Sequence, residues 1–272
     1  MDHLSFVASG GAGINVLASG AVPAGLLSLA VGTDDAHLVR VRKERGLPVY
    51  RSTPEEIRGW EHVEPAVASH FVSLLPAPIR EVFTRKVAIH CAGLGGATGT
   101  AVATALTRIR AGLSKPTIHL AILPFGVERQ RGDRARAAAN ALEADSTVVL
   151  FANDILARAA PDRTFHESMH IANALILEVA RGLVALPEAT LAMLAKGRGR
   201  FAPVIGSGSE FTPRTLADFG AEGANAGHLI APPRALWLPS LEQKLGESGV
   251  EATRHESAGI GEDHWLALLR PL

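Results

Sequence analysis

The sequence predicts an α/β protein built on a parallel sheet, and three observations carry that reading. Short apolar runs alternate with helical patterns, at Leu4 to Ala8, Leu26 to Val31, Lys86 to Cys91, Thr117 to Leu123 and Thr147 to Phe151. Ala, Val and Leu dominate an apolar fraction of 47%, glycine adds 27 residues, and aromatics make up only 5%, which suits strands covered on both faces by close-packed helices. Glycine clusters follow two of the apolar runs, at Gly10 to Gly13 and Gly93 to Gly99.

The elements follow in order. Leu4 to Ala8 reads as a strand running into Ser9-Gly10-Gly11-Ala12-Gly13, with a helix over residues 14–21 and a second strand over 26–31. Thr33-Asp34-Asp35 reads as a loop before a helix at 36–45. Thr53 supplies an N-cap, Pro54 a favoured first helical position, and Glu55 and Glu56 early acids, so a helical region is expected to run to about Leu75, with a short one near 78–84. Beyond the strand at 86–91 come a helix from about 100 to 111, a strand at 117–123, a charged helix from about 128 to 143 and a strand at 147–151. Helices at about 165–185 and 188–196 follow. The last seventy or so residues are rich in turn formers (Gly206, Gly208, Pro213, Gly220, Gly223, Gly227), then read as strand, helix, strand, a small α+β addition.

Composition narrows the function classes. The formal net charge is zero, so neither bulk attraction to nucleic acid nor an acidic tail is implied. Cys91 is the sole cysteine, which rules out an intramolecular disulfide, and its place in an apolar strand reads as a small buried hydrophobe. Met1 to Val7 has no basic segment before a long apolar run, so no signal peptide is expected. No apolar run reaches membrane-spanning length without charges or helix breakers. A cytoplasmic protein with no direct membrane anchor is the expectation.

The segment Ala92-Gly93-Leu94-Gly95-Gly96-Ala97-Thr98-Gly99-Thr100 sits between a strand and a helix. That order builds an anion site. Glycine lets the backbone approach a ligand closely, and the amide N–H groups at the helix start point at phosphate oxygens. Thr98 and Thr100 add hydroxyls. A glycine-rich turn in an α/β core with no ligand gives the same pattern, so the segment alone leaves both readings open.

In their order, the motifs resemble those of the tubulin/FtsZ superfamily of GTP-binding filament proteins. Gly95-Gly96-Ala97-Thr98-Gly99-Thr100-Ala101 is similar to that family's Gly-Gly-Gly-Thr-Gly-Thr-Gly signature, with alanine at two glycine positions. Gly10-Gly11-Ala12-Gly13-Ile14-Asn15 resembles its Gly-Gly-Gly-Gly-x-Asn, and Val31-Gly32-Thr33-Asp34 its Val-Asn-Thr-Asp. Pro124-Phe125-Gly126-Val127-Glu128 is similar to Pro-Phe-x-Phe-Glu, and Ala152-Asn153-Asp154 to Pro-Asn-Asp. Met169-His170-Ile171-Ala172-Asn173 resembles Phe-x-x-Ala-Asp/Asn. Together these six cover roughly residues 5–185.

The resemblance implies a tubulin/FtsZ-like, Rossmann-type parallel sheet flanked by helices, with a long central helix and a reduced C-terminal α+β domain. The implied division is a GTP-binding domain over 1–164, the central helix over 165–186 and an abbreviated C-terminal domain over 187–272. It implies GTP or GDP as ligand, with Mg²⁺ held through the phosphates and no separate metal-binding side-chain set. Gly10 to Gly13 and Gly95 to Thr100 would wrap the phosphates, with Asp34 near the phosphate–magnesium region. Glu128 would face the ribose, and Pro124 belongs to the same nucleotide-binding motif. Asn153 and Asn173 would read the guanine edge, since an amide offers donor and acceptor together. Asn15 and Met169 belong to the matching motifs. As partners it implies further copies of the chain, head to tail in a filament or longitudinal dimer, and no nucleic acid. Single residues keep simpler readings: Asp34 and Asn153-Asp154 can each cap a following helix.

The chain departs from the family in several places. The family's catalytic loop, Asn-x-Asp-x-x-Asp, presents carboxylates to the next subunit's nucleotide. Here Gly182-Leu183-Val184 passes almost directly into Leu186-Pro187-Glu188, so that loop reads as deleted. Glu188 is the one carboxylate near the junction and is carried forward as the candidate catalytic residue, with first-turn helix acid as the simpler role. Weak or absent hydrolysis follows, and a non-catalytic regulator or structural subunit is the nearest alternative. No glycine-rich third phosphate loop is recognisable around Gly46 to Ser52, and Gly132 stands where an arginine is expected. No partner-binding tail is expected after Trp265 to Leu269.

Two rival readings come from other classes. His166-Glu167-Ser168-Met169-His170 matches the His-Glu-x-x-His pattern of zinc hydrolases. Gly11-x-Gly13 with Asp34 about twenty residues on partly matches an NAD(P)-binding Rossmann oxidoreductase, although Val16 occupies the third glycine position.

Overall fold

A computed structural model describes residues 2–154, 164–210, 221, 223–233, 235–257, 260 and 262–270. The parallel strands are β1 (Leu4–Ser9), β2 (Leu27–Gly32), β3 (Val49–Arg51), β4 (Val87–Gly93), β5 (Thr117–Leu123) and β6 (Thr147–Ala152). They lie in the order 3-2-1-4-5-6 with every neighbouring pair parallel. This is the doubly wound order, in which the sheet grows in opposite directions on the two sides of the β1/β4 boundary.

Strand β7 (Gly199–Ser207) belongs to two neighbours. Its first residues pair parallel with β6, and Ala202 to Ser207 pair antiparallel with β10 (His264–Arg270). Beyond β10 lie β8 (Ala226–Ala231) and β9 (Glu251–Glu256), so one ten-stranded sheet runs through the whole described structure. The C-terminal strands therefore extend the first sheet by direct hydrogen bonding. Part of the turn-rich stretch expected after β7, including Pro213 and Gly220, lies outside the described residues.

Helices cover both faces. On one face lie α1 (Gly10–Ala18), α2 (Asp35–Arg45), the long α8 (Phe165–Val184) and α9 (Glu188–Lys196). On the other lie α3 (Pro54–Glu61), α4 (Ala68–Leu74), α5 (Ala77–Thr84), α6 (Ala97–Gly112), α7 (Arg129–Glu143) and α10 (Leu238–Glu247). The period-two alternation of each strand feeds both layers: Phe6 and Ile89 face α1 and α8, while Val7 faces α3 to α6. The core under α8 is continuous from Leu4 of β1 to Leu268 of β10, which makes α8 the spine of that face. Thr164 and Glu167 form a reciprocal capping box that fixes where α8 starts. Among the described residues no single helix is long and apolar enough to cross a membrane.

Four boundaries differ from the sequence expectation. Helix α1 starts at Gly10 and α6 at Ala97, earlier than expected, because the whole first glycine cluster is helical and Gly99 of the second lies in the first turn of α6. The close packing explains the glycines. A Cβ on Gly13 would lie 2.1 Å from the Cys91 carbonyl oxygen, and one on Gly99 would lie 2.4 Å from that of Gly93. The helical stretch after Thr53 is broken into α3, a single 3₁₀ turn at Pro65–Val67, and α4. Strand β3, only three residues long, carried no periodic signal.

Candidate functional site

Open α/β sheets bind ligands outside the carboxyl ends of their strands, at the point where strand order reverses. Here that point is the β1/β4 boundary, where α1 and α6 begin. A Cβ on Gly10 would lie 3.1 Å from the Gly99 amide nitrogen, so the starts of the two helices touch backbone to backbone. Gly10 has φ +64 and Gly95 φ +80, left-handed values that favour glycine at each bend. Neither α1 nor α6 has a side-chain cap: Ser9 and Gly96 occupy the N-cap positions without a hydrogen bond from a side chain to the first-turn amides. Two positive helix ends thus converge with amide N–H groups left uncapped by their own side chains.

The hydroxyls nearby tie loops together. Thr98 Oγ1 lies 3.0 Å from Thr33 Oγ1, joining α6 to the loop after β2. Gly95 N–H donates to Thr100 Oγ1 at 2.9 Å, which closes the glycine turn onto its helix and leaves the Thr100 hydroxyl proton free to donate. A cleft of about 350 Å³ is lined by Gly95, Gly96, Ala97, Thr98 and Thr100 together with Arg58 and Arg134.

A second cleft, about 130 Å³, lies between α1, α2 and α8. Asn15, Met169 and Asn173 line it, as do Ser19, Arg40, His166 and His170, which sequence reading left out of the site. Arg40 Nη1 donates to Asn15 Oδ1 at 3.4 Å. The signal for Arg40 was legible only in space, since nothing in its local sequence distinguishes it from its neighbours on a charged helix.

The remaining candidates stand apart from these clefts. Asp34 caps α2, accepting from Ala36 N–H at 2.8 Å, and is exposed. Glu128 accepts from Phe125 N–H at 3.2 Å and pairs with Arg131 at 2.9 Å, so its carboxylate organises the start of α7. Arg131 in turn packs on the glycine turn, where a Cβ on Gly95 would lie 2.2 Å from its carbonyl oxygen. Pro124 lines a third cleft of about 370 Å³ with Asp154, whose Oδ2 accepts from Gly126 N–H at 2.8 Å. Asn153 is half-buried at the end of β6 and precedes residues 155–163, outside the described set. Gly11 packs toward His37, and Ala12 toward Gly93.

Glu188 sits at the opposite end of the strands. It pairs with Lys86, just before β4, at 2.7 Å and with His3, just before β1, at 3.5 Å. The hydrogen bond from Lys86 holds the Glu188 carboxyl below its usual value, so it stays ionised but is a weakened base. Helix α8 ends at Val184 and α9 starts at Glu188, leaving a three-residue junction.

The zinc-helix pattern is used otherwise. Glu167 is bonded to the backbone and hydroxyl of Thr164, and His166 and His170 lie exposed with Nε2 atoms 3.0 Å apart. Among the described residues, no group of three or more His, Cys, Asp or Glu side chains is placed to hold a metal ion.

Sequence reasoning also missed a buried chain of polar groups under the glycine loops. Ser9 Oγ lies 2.7 Å from His90 Nε2, His90 Nδ1 lies 3.0 Å from His119 Nδ1, and His119 Nε2 lies 2.8 Å from Thr107 Oγ1. All four residues are buried between the sheet and α6. Burial lowers both histidines, His119 to about 3, so both are neutral. The available signal was polar residues repeating at the α6-facing positions of the apolar strands: Ser9 on β1, His90 on β4, His119 on β5.

No protein-family model matches the chain. Cell division protein FtsZ 1 of Thermococcus kodakarensis is 27% identical over 164 residues, 58% of this chain and 43% of the relative. FtsZ 2 of Haloferax volcanii is 27% identical over 187 residues, 66% of this chain and 46% of the relative. The matches thus span about half or less of those relatives' length. Among solved structures, the empty FtsZ dimer of M. jannaschii has a TM-score of 0.65 at 19% identity, covering 97% of this chain and 88% of that one. The GTPγS-bound CetZ2 protofilament of Haloferax volcanii has a TM-score of 0.64 at 17% identity, covering 98% and 92%. Sequence relatives and fold neighbours converge on one group: the chain is similar in sequence to FtsZ over part of its length and has the FtsZ/tubulin-like fold.

Proposed function

We propose that the chain binds a guanine nucleotide across the carboxyl ends of β1 and β4 and associates head to tail with further copies of itself. The observation that carries this reading is the contact between the uncapped starts of α1 and α6 at Gly10 and Gly99, beside a cleft lined by Asn15, Met169 and Asn173. The helix starts offer N–H groups and positive dipole ends to the phosphates. The two amides offer the paired donor and acceptor that a guanine edge requires. Solved structures of the similar CetZ2 from Haloferax volcanii and TubZ from Bacillus thuringiensis are GTPγS-bound and GTPγS-form protofilaments.

Mg²⁺ fits as a companion of the phosphates. Asp34 spends one carboxylate oxygen on the α2 cap and follows Thr33, which bonds Thr98 of the glycine loop. The ion would supply charge neutralisation at the phosphates. Hydrolysis is slow in this reading. Head-to-tail stacking would bring the Glu188 end of one copy to the glycine-loop end of the next, yet Glu188 is tied to Lys86 and the junction that carries it is three residues long. A Glu188 carboxylate held this way is a poor base for water. Turnover that stays near background at every protein concentration supports this reading. Fast turnover rising with concentration and lost in Glu188→Ala would overturn it.

Nucleotide binding is tested by thermal unfolding with GTP, ATP, NAD and NADP. Stabilisation by GTP alone supports the guanine assignment, and stabilisation by NAD or NADP would restore the oxidoreductase reading.

A further inference from the structure

Serine is a preferred N-cap residue because its hydroxyl accepts from a first-turn amide. Ser9 has the extended backbone of an N-cap (φ −130, ψ 148) and directly precedes α1, yet makes no cap bond. Its Oγ is held 2.7 Å from His90 Nε2 instead. His90 is fixed from behind by His119, its register partner on β5, at 3.0 Å, and His119 by Thr107 of α6 at 2.8 Å. Two neutral imidazoles satisfy this chain in either direction. Ser9 can donate to His90, His90 to His119 and His119 to Thr107, or every bond can be reversed. In both, Ser9 Oγ is retained by His90 on the sheet side of the helix start.

We propose that His90 is a positioning residue for the anion site, holding the Ser9 hydroxyl away from the first-turn amides of α1 so that these remain open to the ligand's phosphates. The inference rests on the nucleotide reading above and deepens it. It assigns a task to a buried polar chain that packing alone does not require. Nonpolar side chains would fill the same space between β1, β4, β5 and α6 without leaving polar groups to satisfy. Without His90, Ser9 is free to turn and cap its own helix, and an incoming phosphate must then displace that bond.

The test uses two replacements that divide the two ends of the imidazole. His90→Asn keeps an amide near the Nδ1 position, facing His119, but is too short to reach Ser9. His90→Gln places its amide near the Nε2 position and keeps a partner for Ser9. Titrations with GTP and with guanosine are run on the wild type, both variants and the double variant His90→Asn/Ser9→Ala, with thermal unfolding to confirm folding. His90→Asn is expected to bind GTP about fivefold more weakly, the factor to which a cap bond of about 1 kcal/mol converts. Its guanosine affinity should be unchanged, since guanosine lacks phosphate. His90→Gln should bind GTP like the wild type, and removal of the competing hydroxyl in the double variant should restore affinity. Equal GTP affinity in wild type and His90→Asn, or a double variant as weak as His90→Asn, overturns the role of His90 while leaving the nucleotide site standing. If His90→Asn does not fold, weakened GTP binding in a folded His90→Gln protein overturns it equally. A wild-type chain that binds no GTP removes the site itself, and the inference with it.

Discussion

The two ends of the parallel strands treat their polar groups in opposite ways. At the amino ends, near the starts of β4 and β5, most polar groups satisfy one another, with His3 Nε2 the buried exception among the described residues. Arg110, fully buried, donates to the carbonyl oxygens of Val82, Phe83, Arg85, Lys86 and Pro116 and to Thr117 Oγ1. Glu188 is tied to Lys86 and His3 on the same end. At the carboxyl ends, two helices begin without side-chain caps, and the one serine placed to cap is drawn off by His90. Satisfied ends hold a fold together, whereas open ends leave donors for something else. The contrast separates what this sheet spends on stability from what it leaves for binding.

The largest effect should come from breaking the closed end. Replacing Arg110 by Leu removes the side-chain donor from five carbonyl oxygens, those of buried Val82 and Phe83 among them, and should cost about 3–5 kcal/mol in urea unfolding, as removal of a buried charged partner does. Burial lowers this guanidinium to about 9, still above neutral pH, so it stays charged in the fold. A loss below about 1 kcal/mol would show that the closed end is not a stability element.

At the open end, Gly99→Val tests close approach. A Cβ there would lie 2.4 Å from the Gly93 carbonyl oxygen, so the start of α6 must move away from β4 and from Gly10. GTP binding should weaken at least about a hundredfold, while destabilisation should stay within the roughly 1–3 kcal/mol of an overpacked site. Unchanged affinity would detach the glycine loop from the ligand.

The buried histidines predict an acid limit to stability. In the unfolded chain each titrates near its ordinary value, but in the fold both are lowered, His119 to about 3. The unfolded state therefore binds more protons as pH falls below about 6.5, and stability declines from there downward. The slope approaches about 1.4 kcal/mol per pH unit for each histidine, and His119→Gln should flatten it. A urea midpoint that is level from pH 7 to pH 5 would contradict this.

A smaller effect is expected at Asn173. Ala there removes one donor–acceptor amide from the cleft it shares with Asn15, and should weaken GTP binding by about 1–2 kcal/mol while narrowing the preference over ATP. An Asn173→Ala protein with undiminished preference would place the base elsewhere. Smallest of all, Glu188→Gln should leave thermal stability unchanged within error, because both Glu188 and Lys86 are solvated.

Most of the sheet was legible from the sequence because parallel strands buried on both faces announce themselves as apolar runs. The 20-residue α8 was equally plain from its amphipathic pattern. What escaped was set by tertiary approach. Gly10 and Ala97 looked like loop residues, yet both helices start there because glycines in their first turns let them press on the β4 backbone. Strand β3 is three residues long and exists through its pairing with β2. Of the site, the residues carried by backbone conformation and by α8 were readable. Arg40 was not, and neither was the Ser9–His90–His119–Thr107 chain, because each depends on a neighbour distant in sequence.

The central claim is that the open carboxyl end holds a guanine nucleotide. It is tested most directly by calorimetric titration of the purified, nucleotide-stripped chain with GTP and with ATP, alongside Gly99→Val. One GTP per chain, bound more tightly than ATP and lost in Gly99→Val, is the predicted result. No binding of either nucleotide, or GTP binding that survives Gly99→Val undiminished, would contradict it.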